Sequence, residues 1–399
     1  MSLLSRIVDR YKHLPQVDFA DKVRYAVWKH LSRRLQEHRI IDGTGELMES
    51  RFHKGRASSP RFTYKRLIFS CGFGWSGSGA VGDLLREYAP VTSIPIEFDL
   101  ARAAGGLYNL EKAFDTCNIF ERDAVFRIFM TLVDSVYTNS REFYDDRFLD
   151  ETKSFLEGLI DYVTKSSIEF EHCPHLRALG TRAIRRIFGL DSIVNEKSIF
   201  FLKEMSVLEY RKLAAKYIRA ILSQVEARDC LLMDQGCADC SADLDRFGDY
   251  FGPFKAIYTY RDPRDVFASA YLACQRGEER GHIPSDPVVF VRWYKRALEP
   301  FRGISHPNLM LVRFEDLVID SDKVIPQIES FLGFTKSDHV HANTLFVPEE
   351  SCAVSMGLWR DFPDQNQIHY IGERLSEFCF NRDYVQPKRQ MATSTGVTA

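Results

Sequence analysis

The stretch Leu67-Ile68-Phe69-Ser70-Cys71-Gly72-Phe73-Gly74-Trp75-Ser76-Gly77-Ser78-Gly79-Ala80-Val81-Gly82-Asp83-Leu84-Leu85 reads as a buried strand, a glycine-rich turn and a helix. Glycines let a backbone turn tightly enough to aim several amide N–H groups at one point. The free amides and positive dipole end of the helix that follows favour a phosphate or sulfate there. The expected ligand is therefore a nucleotide. Gly72 and Gly77 have the spacing of a Walker A loop, G-x-x-x-x-G-K-[ST], but Ser78 stands at the lysine position and Gly79 at the hydroxyl position. Two recurring parts of ATP and GTP chemistry, the phosphate-binding lysine and the magnesium-binding hydroxyl, are thus missing from the loop.

A second segment carries the reading further. Ala256-Ile257-Tyr258-Thr259-Tyr260 is a β-prone run that ends in Arg261-Asp262-Pro263-Arg264-Asp265, followed by the helix-like Val266-Phe267-Ala268-Ser269-Ala270-Tyr271. An arginine at a strand end makes charge-assisted, often bidentate contacts to phosphate, and a serine from the next helix adds a neutral donor. Further along come Asn308-Leu309-Met310-Leu311-Val312-Arg313-Phe314-Glu315-Asp316-Leu317, then Ile328-Glu329-Ser330-Phe331-Leu332-Gly333-Phe334, and finally Gly357-Leu358-Trp359-Arg360.

In this order the segments resemble the sulfotransferases that use PAPS (3′-phosphoadenosine 5′-phosphosulfate), most closely the bacterial carbohydrate-type members. The glycine loop is similar to their 5′-phosphosulfate loop, and R-D-P-R-D with a serine eight residues after its first arginine is similar to their 3′-phosphate motif. The strand with E-D-L, the F-L-G run and the late G-x-W-[KR] segment also match. The resemblance spans residues 66–99 and 230–380, roughly half of the chain.

The resemblance implies that Gly74, Trp75, Ser76, Gly77, Ser78, Gly79 and Ala80 cradle the 5′-phosphosulfate. It further implies that Arg261 and Ser269 hold the 3′-phosphate, and that Gly357, Trp359 and Arg360 close over that end of the nucleotide. The resemblance also implies PAPS as the cofactor, PAP as the product and no required metal. The catalytic residues that it implies are Ser78 and Glu97. Glu97 lies 22 residues after Trp75 at the expected end of a second strand, where several such enzymes place a catalytic glutamate and others use a histidine. Asp99 is its nearest substitute, and the plain structural alternative is that Glu97 is a surface carboxylate or makes an ion pair with Arg102. Trp75 departs from the pattern, because a lysine or arginine usually stands there to stabilise the transferring group. Lys65, Arg66, Arg102 and Arg360 are the candidate replacements. The basic pair often found just before the G-x-W-[KR] segment is also missing.

Composition sets the frame for these motifs. With 399 residues, 45% of them hydrophobic and 13% aromatic, the chain can bury a large core. No run of eighteen apolar residues occurs, and Met1-Ser2-Leu3-Leu4-Ser5-Arg6 opens no long apolar signal core, so the expected location is the cytoplasm. Nine scattered cysteines fit a reducing compartment. Cys237-Ala238-Asp239-Cys240 and His172-Cys173-Pro174-His175 make a weak zinc candidate; packing as small apolar thiols is the plainer reading.

The net charge of −2 hides an asymmetry. Residues 1–66 hold 15 Lys and Arg against 7 Asp and Glu, leaving 38 against 48 in the remainder. Residues 17–41 can place Val23, Val27, Leu31 and Leu35 on one helical face, with basic residues mainly elsewhere. That helix either packs on the catalytic core or docks on an anionic membrane, at its inner face. No motif supports DNA binding.

The expected fold is α/β, a P-loop-type parallel sheet flanked by helices. A basic N-terminal helical arm occupies residues 1–62, a sulfotransferase-like domain 63–388 and a disordered tail 389–399. Between 104 and 225, the segments Ala124–Tyr137, Lys153–Lys165 and Leu202–Val225 carry apolar residues at helical spacings, which predicts a large helical insertion. Its aromatic residues Tyr108, Phe126 and Tyr144 favour a carbohydrate or glycolipid acceptor bearing a hydroxyl. Two other readings stand beside sulfuryl transfer: a kinase-like P-loop phosphotransferase using ATP, and a catalytically weak nucleotide- or glycan-binding protein.

Overall fold

The computed structural model describes residues 63–140, 143–166, 197–226, 228–235, 244–276, 283–301 and 303–384. The basic arm, the two zinc-candidate clusters and the tail lie outside these residues. The chain divides into two compact units, one containing Asp99–Ile221 and the other containing 63–98 and 222–384.

The second unit is built on a five-stranded parallel sheet. Its strands are β1 (Arg66–Gly72), β2 (Val91–Glu97), β5 (Cys230–Asp234), β6 (Phe254–Tyr260) and β7 (Leu309–Arg313), in the spatial order β2-β5-β1-β6-β7. β1 is central, and Leu67, Ile68 and Phe69 are wholly buried, as a strand covered on both faces requires. Ile68 on one face joins Leu232, Ile257 and Val312 in a core with Val81, Leu84 and Leu85 of helix α1 (Ser78–Arg86). Phe69 on the other face meets the edges of Phe247, Phe251 and Phe254 at ring-centre distances of 4.8, 5.2 and 6.2 Å. After β1 the chain crosses to one edge of the sheet at β2, and after β5 it crosses to the other side at β6. Such a divergence places a ligand crevice at the carboxyl end of the central strand.

β5 is a strand that the sequence reading does not anticipate. Cys230-Leu231-Leu232-Met233 lacks β-branched residues, so local propensity favours a helix; burial between β1 and β2 decides otherwise.

The first unit contains the short turns α2 (Asp99–Arg102) and α3 (Leu107–Leu110), then α4 (Ile119–Asn139), α5 (Asp146–Leu159) and most of α6 (Val207–Leu222). It is not wholly helical. β3 (Ile160–Ser166) and β4 (Lys197–Leu202) pair antiparallel, which corrects the helical reading of Lys153–Lys165 beyond Leu159 and of Leu202 itself. The reason is visible in the β-prone Ile-Asp-Tyr-Val-Thr and Ile-Phe-Phe runs and in the cross-strand stack of Tyr162 on Phe201 at 4.3 Å. Phe126 and Tyr144 are buried to within 1% in this unit's core, Phe126 beside Phe200 and Tyr144 beside Phe148. They do not present their rings to an acceptor, contrary to expectation. Arg211 pairs with Glu111, and Arg122 with Glu204, inside the same unit.

The remaining helices of the sheet unit are α7 (Leu244–Phe251), α8 (Pro263–Arg276), α9 (Pro287–Leu298), α10 (Phe314–Ile319), α11 (Ser321–Leu332), α12 (Pro348–Ser355) and α13 (Gln365–Arg374). Pro263 and Pro287 stand at helix starts, where the missing N–H costs nothing. No described helix is long and apolar enough to cross a membrane.

Candidate active site

The glycine loop leaves β1 at Gly72 and enters α1 at Ser78. Gly77 caps the helix with φ 92°, and Trp75 also lies in the left-handed region at φ 66°. A Cβ on Gly77 would stand 2.4 Å from the Phe314 ring, and one on Gly72 would meet Ser76 Oγ at 2.1 Å and the Thr259 carbonyl at 2.9 Å. Both glycines therefore answer close approaches, and Gly77 answers its conformation as well. The Ser76 amide donates to the Phe73 carbonyl at 3.0 Å and that of Ala80 to Gly77 at 3.1 Å, which closes the loop into a turn. The first amides of α1 have no acceptor within their own helix and carry its positive dipole end.

Around this loop the strand ends supply side chains. The Ser70 hydroxyl donates to the Ser78 carbonyl at 2.7 Å, and the Gln235 amide Nε2 donates to Ser78 Oγ at 2.8 Å. The Ser76 and Thr259 hydroxyl oxygens are buried without a hydrogen-bond partner among the described residues. These two orphaned groups, with the two glycine approaches and the helix start, fit an anion of the phosphosulfate type.

Arg261, at 4% exposure, lies against the loop. Its Nη1 donates to the Trp75 carbonyl at 3.1 Å, Nη2 donates to the Ser355 carbonyl, and the guanidinium covers the Phe314 ring at 5.2 Å. One side chain thus bridges the glycine loop and the segment that leads into Gly357. Asp265 completes that link by accepting from the amides of Gly357 at 2.9 Å and Trp359 at 3.1 Å. Ser269 is one helical turn beyond Asp265, on the same face of α8, and is buried. Arg261, Gly357 and Trp359 are consequently gathered at one place, with Ser269 one turn further along α8. Arg264 stacks on the Trp359 ring at 4.2 Å while its guanidinium is held by Asp262 at 2.6 Å. Arg360 is exposed, over the rings of Trp359 and Tyr384 at 5.5 and 5.1 Å.

Buried carboxylates balance the cation. Burial pushes the Asp265 carboxyl above the ordinary carboxylate value, although Arg261 and the two amides draw it down. Burial likewise pushes Glu315 up to about 7, against the Asp262 amide at 2.8 Å and Arg261. Glu315 Oε2 has no hydrogen-bond partner among the described residues.

The candidate replacements for a cation at Trp75 separate clearly. Lys65 pairs with Asp229 at 2.9 Å, and Arg66 donates to the Leu332 carbonyl. Both precede β1 or open it, about 20 Å of strand away from Gly72, so neither serves the loop. Arg102 pairs with Asp99 at 3.4 Å, the carboxylate named as substitute base. The cation whose hydrogen bond to the loop is seen is Arg261.

Glu97 is exposed at the end of β2, in register with Asp234, which is in turn in register with Ser70. Two strand spacings, about 10 Å, separate the backbone of Glu97 from that of β1. Asp234 and Gln235 stand one spacing nearer. Sequence reading missed both; the only signal was the short apolar run ending in Asp-Gln before Gly236.

The class that this fold defines is an α/β protein with a parallel central sheet flanked by helices. Residues 251–346, from the end of α7 to the segment after α11, match the sulfotransferase domain family. No curated protein matches. Among solved structures, the sulfotransferase domain of the Synechococcus PCC 7002 olefin synthase aligns over 84% of this chain and 100% of its own, at 13% identity and TM-score 0.35. A Mycobacterium tuberculosis H37Rv sulfotransferase aligns over 79% and 77%, at 14% identity and TM-score 0.34. Retinol dehydratase in complex with androsterone and inactive cofactor PAP aligns over 82% and 84%, at 15% identity and TM-score 0.32.

Proposed function

We propose that the protein transfers the sulfuryl group of PAPS to a hydroxyl of a carbohydrate or glycolipid acceptor. The observation that carries the cofactor reading is Arg261, the first residue of R-D-P-R-D, lying against the glycine loop and the segment that leads into Gly357 and Trp359. A nucleotide with phosphates at both 3′ and 5′ positions asks for two anion sites, and the loop and the Arg261 cluster are two such sites. The carbohydrate part of the proposal rests on the motif resemblance, since Phe126 and Tyr144 serve the core.

PAPS, when bound, supplies an activated sulfuryl group. The amides around Gly74 to Ala80, with the hydroxyls of Ser76 and Ser78, hold the 5′-phosphosulfate and stabilise charge that develops on its bridging oxygen. Arg261 exchanges its two carbonyl acceptors for the 3′-phosphate, a stronger charge-assisted partner. Ser269 adds a donor, and Gly357, Trp359 and Arg360 close over the bisphosphate end. Glu97 takes the proton of the acceptor hydroxyl.

Calorimetric titration with PAP, AMP and ATP, with and without magnesium, tests the cofactor. Selective binding of PAP without magnesium is expected, and Arg261→Ala is expected to weaken PAP far more than AMP. A preference for ATP with magnesium would favour phosphoryl transfer and remove the proposal. Glu97→Gln should leave PAP affinity intact and slow transfer at least about tenfold. If Asp234→Asn slows transfer and Glu97→Gln does not, the base is the carboxylate one strand nearer the loop.

A further inference from the structure

We infer that Gln235 is a positioning residue for the anion loop, turning the Ser78 hydroxyl proton into the cradle toward the 5′ end of the nucleotide. This deepens the proposed cofactor site and rests on it. A serine hydroxyl has one proton and two acceptor lone pairs. In Ser78 one lone pair takes the Gln235 Nε2–H at 2.8 Å, and Ser78's backbone is fixed separately by the Ser70 hydroxyl on its carbonyl at 2.7 Å. The residue is buried at 7% exposure, so its proton is left to point at whatever occupies the loop.

The backbone of Gln235 supports the assignment. It lies just past β5 in the left-handed region, φ 56°, with its N–H donating to the Ser70 carbonyl at 2.9 Å. Glycine adopts that conformation freely, whereas a glutamine there is strained. The side chain that justifies a glutamine is the one that reaches Ser78. Ser70 thus joins the two strand ends, accepting from Gln235 through its carbonyl and donating to Ser78 through its hydroxyl.

The test compares wild type with Gln235→Gly, Gln235→Leu, Ser78→Ala and the double variant Ser78→Ala/Gln235→Gly. Each is titrated with PAP, with adenosine 3′-phosphate, which lacks the 5′ group, and with inorganic pyrophosphate. Gln235→Gly should weaken PAP about tenfold, leave adenosine 3′-phosphate unchanged, and hold or raise Tm because the backbone strain is gone. Gln235→Leu keeps the bulk without the donor and should show the same ligand selectivity. On the Ser78→Ala background, Gln235→Gly should cost nothing more. Unchanged PAP affinity, equal losses for both nucleotides, or a further loss on the Ser78→Ala background would each overturn the inference. If wild type binds pyrophosphate but not PAP, the cofactor reading fails and Gln235 is judged on pyrophosphate by the same comparisons. If it binds neither, both fall.

Discussion

Gly77 and Glu315 show how single residues set the site. Gly77 combines a positive φ with the Phe314 ring where a Cβ would stand, whereas Gly79, two positions on, has nothing within 4 Å of a Cβ. Gly77→Ala is therefore expected to cost about 2–4 kcal/mol, and Gly79→Ala to be neutral or slightly stabilising as a helix former; urea unfolding of the two variants checks the contrast. Glu315 has a raised value, near 7, so the native state retains a proton that the unfolded chain releases first, near 4.5. Its contribution to stability is full below about 4.5 and is lost as the pH rises through 7. Glu315→Gln should flatten that part of the stability profile while the acid side is unchanged. The E-D-L match drew attention to this position, but sequence did not indicate that the carboxyl is buried against the Asp262 amide, because that contact joins positions 53 residues apart.

At the scale of elements, the end of α1 is tied to a distant segment by a single carboxylate. Glu87, wholly buried at the C-cap, accepts from His339 Nε2 at 2.6 Å and from the amides of Thr344, Leu345 and Phe346 at 2.8, 2.7 and 2.9 Å. The His339 ring stacks on Tyr88 at 4.4 Å. Burial alone would raise the Glu87 value, but the hydrogen bond from His339 and then the three amides outweigh it and hold it below the ordinary range. The stabilisation is accordingly present above about 4.5 and is lost as the pH falls through the depressed native value. Glu87→Ala should destabilise by about 3–5 kcal/mol, and melting curves from pH 7 to 3 should lose much of their acid sensitivity in the variant. The helix that follows the glycine turn was legible in the sequence through Leu85. The partners of Glu87, more than 250 residues away, carry no local signal.

For the whole molecule, the sheet is covered on both faces and Phe69 is the keystone of one of them. Phe69→Ala removes a ring that meets three others and should cost about 3–5 kcal/mol, read as a large fall in Tm, with the loop's ligand affinity reduced only through unfolding. Glycine, arginine and proline spacing decided the strand–loop–helix, the R-D-P-R-D strand end and the parallel α/β class from the sequence alone, because those features depend on conformational freedom and charge at adjacent positions. Tertiary structure decided what sequence spacing does not encode. It made Cys230–Asp234 a strand through burial between two others, put Phe126 and Tyr144 into a core, and brought Gln235 onto Ser78. Each of these outcomes is set by contacts between segments far apart in the chain, where packing outweighs local propensity.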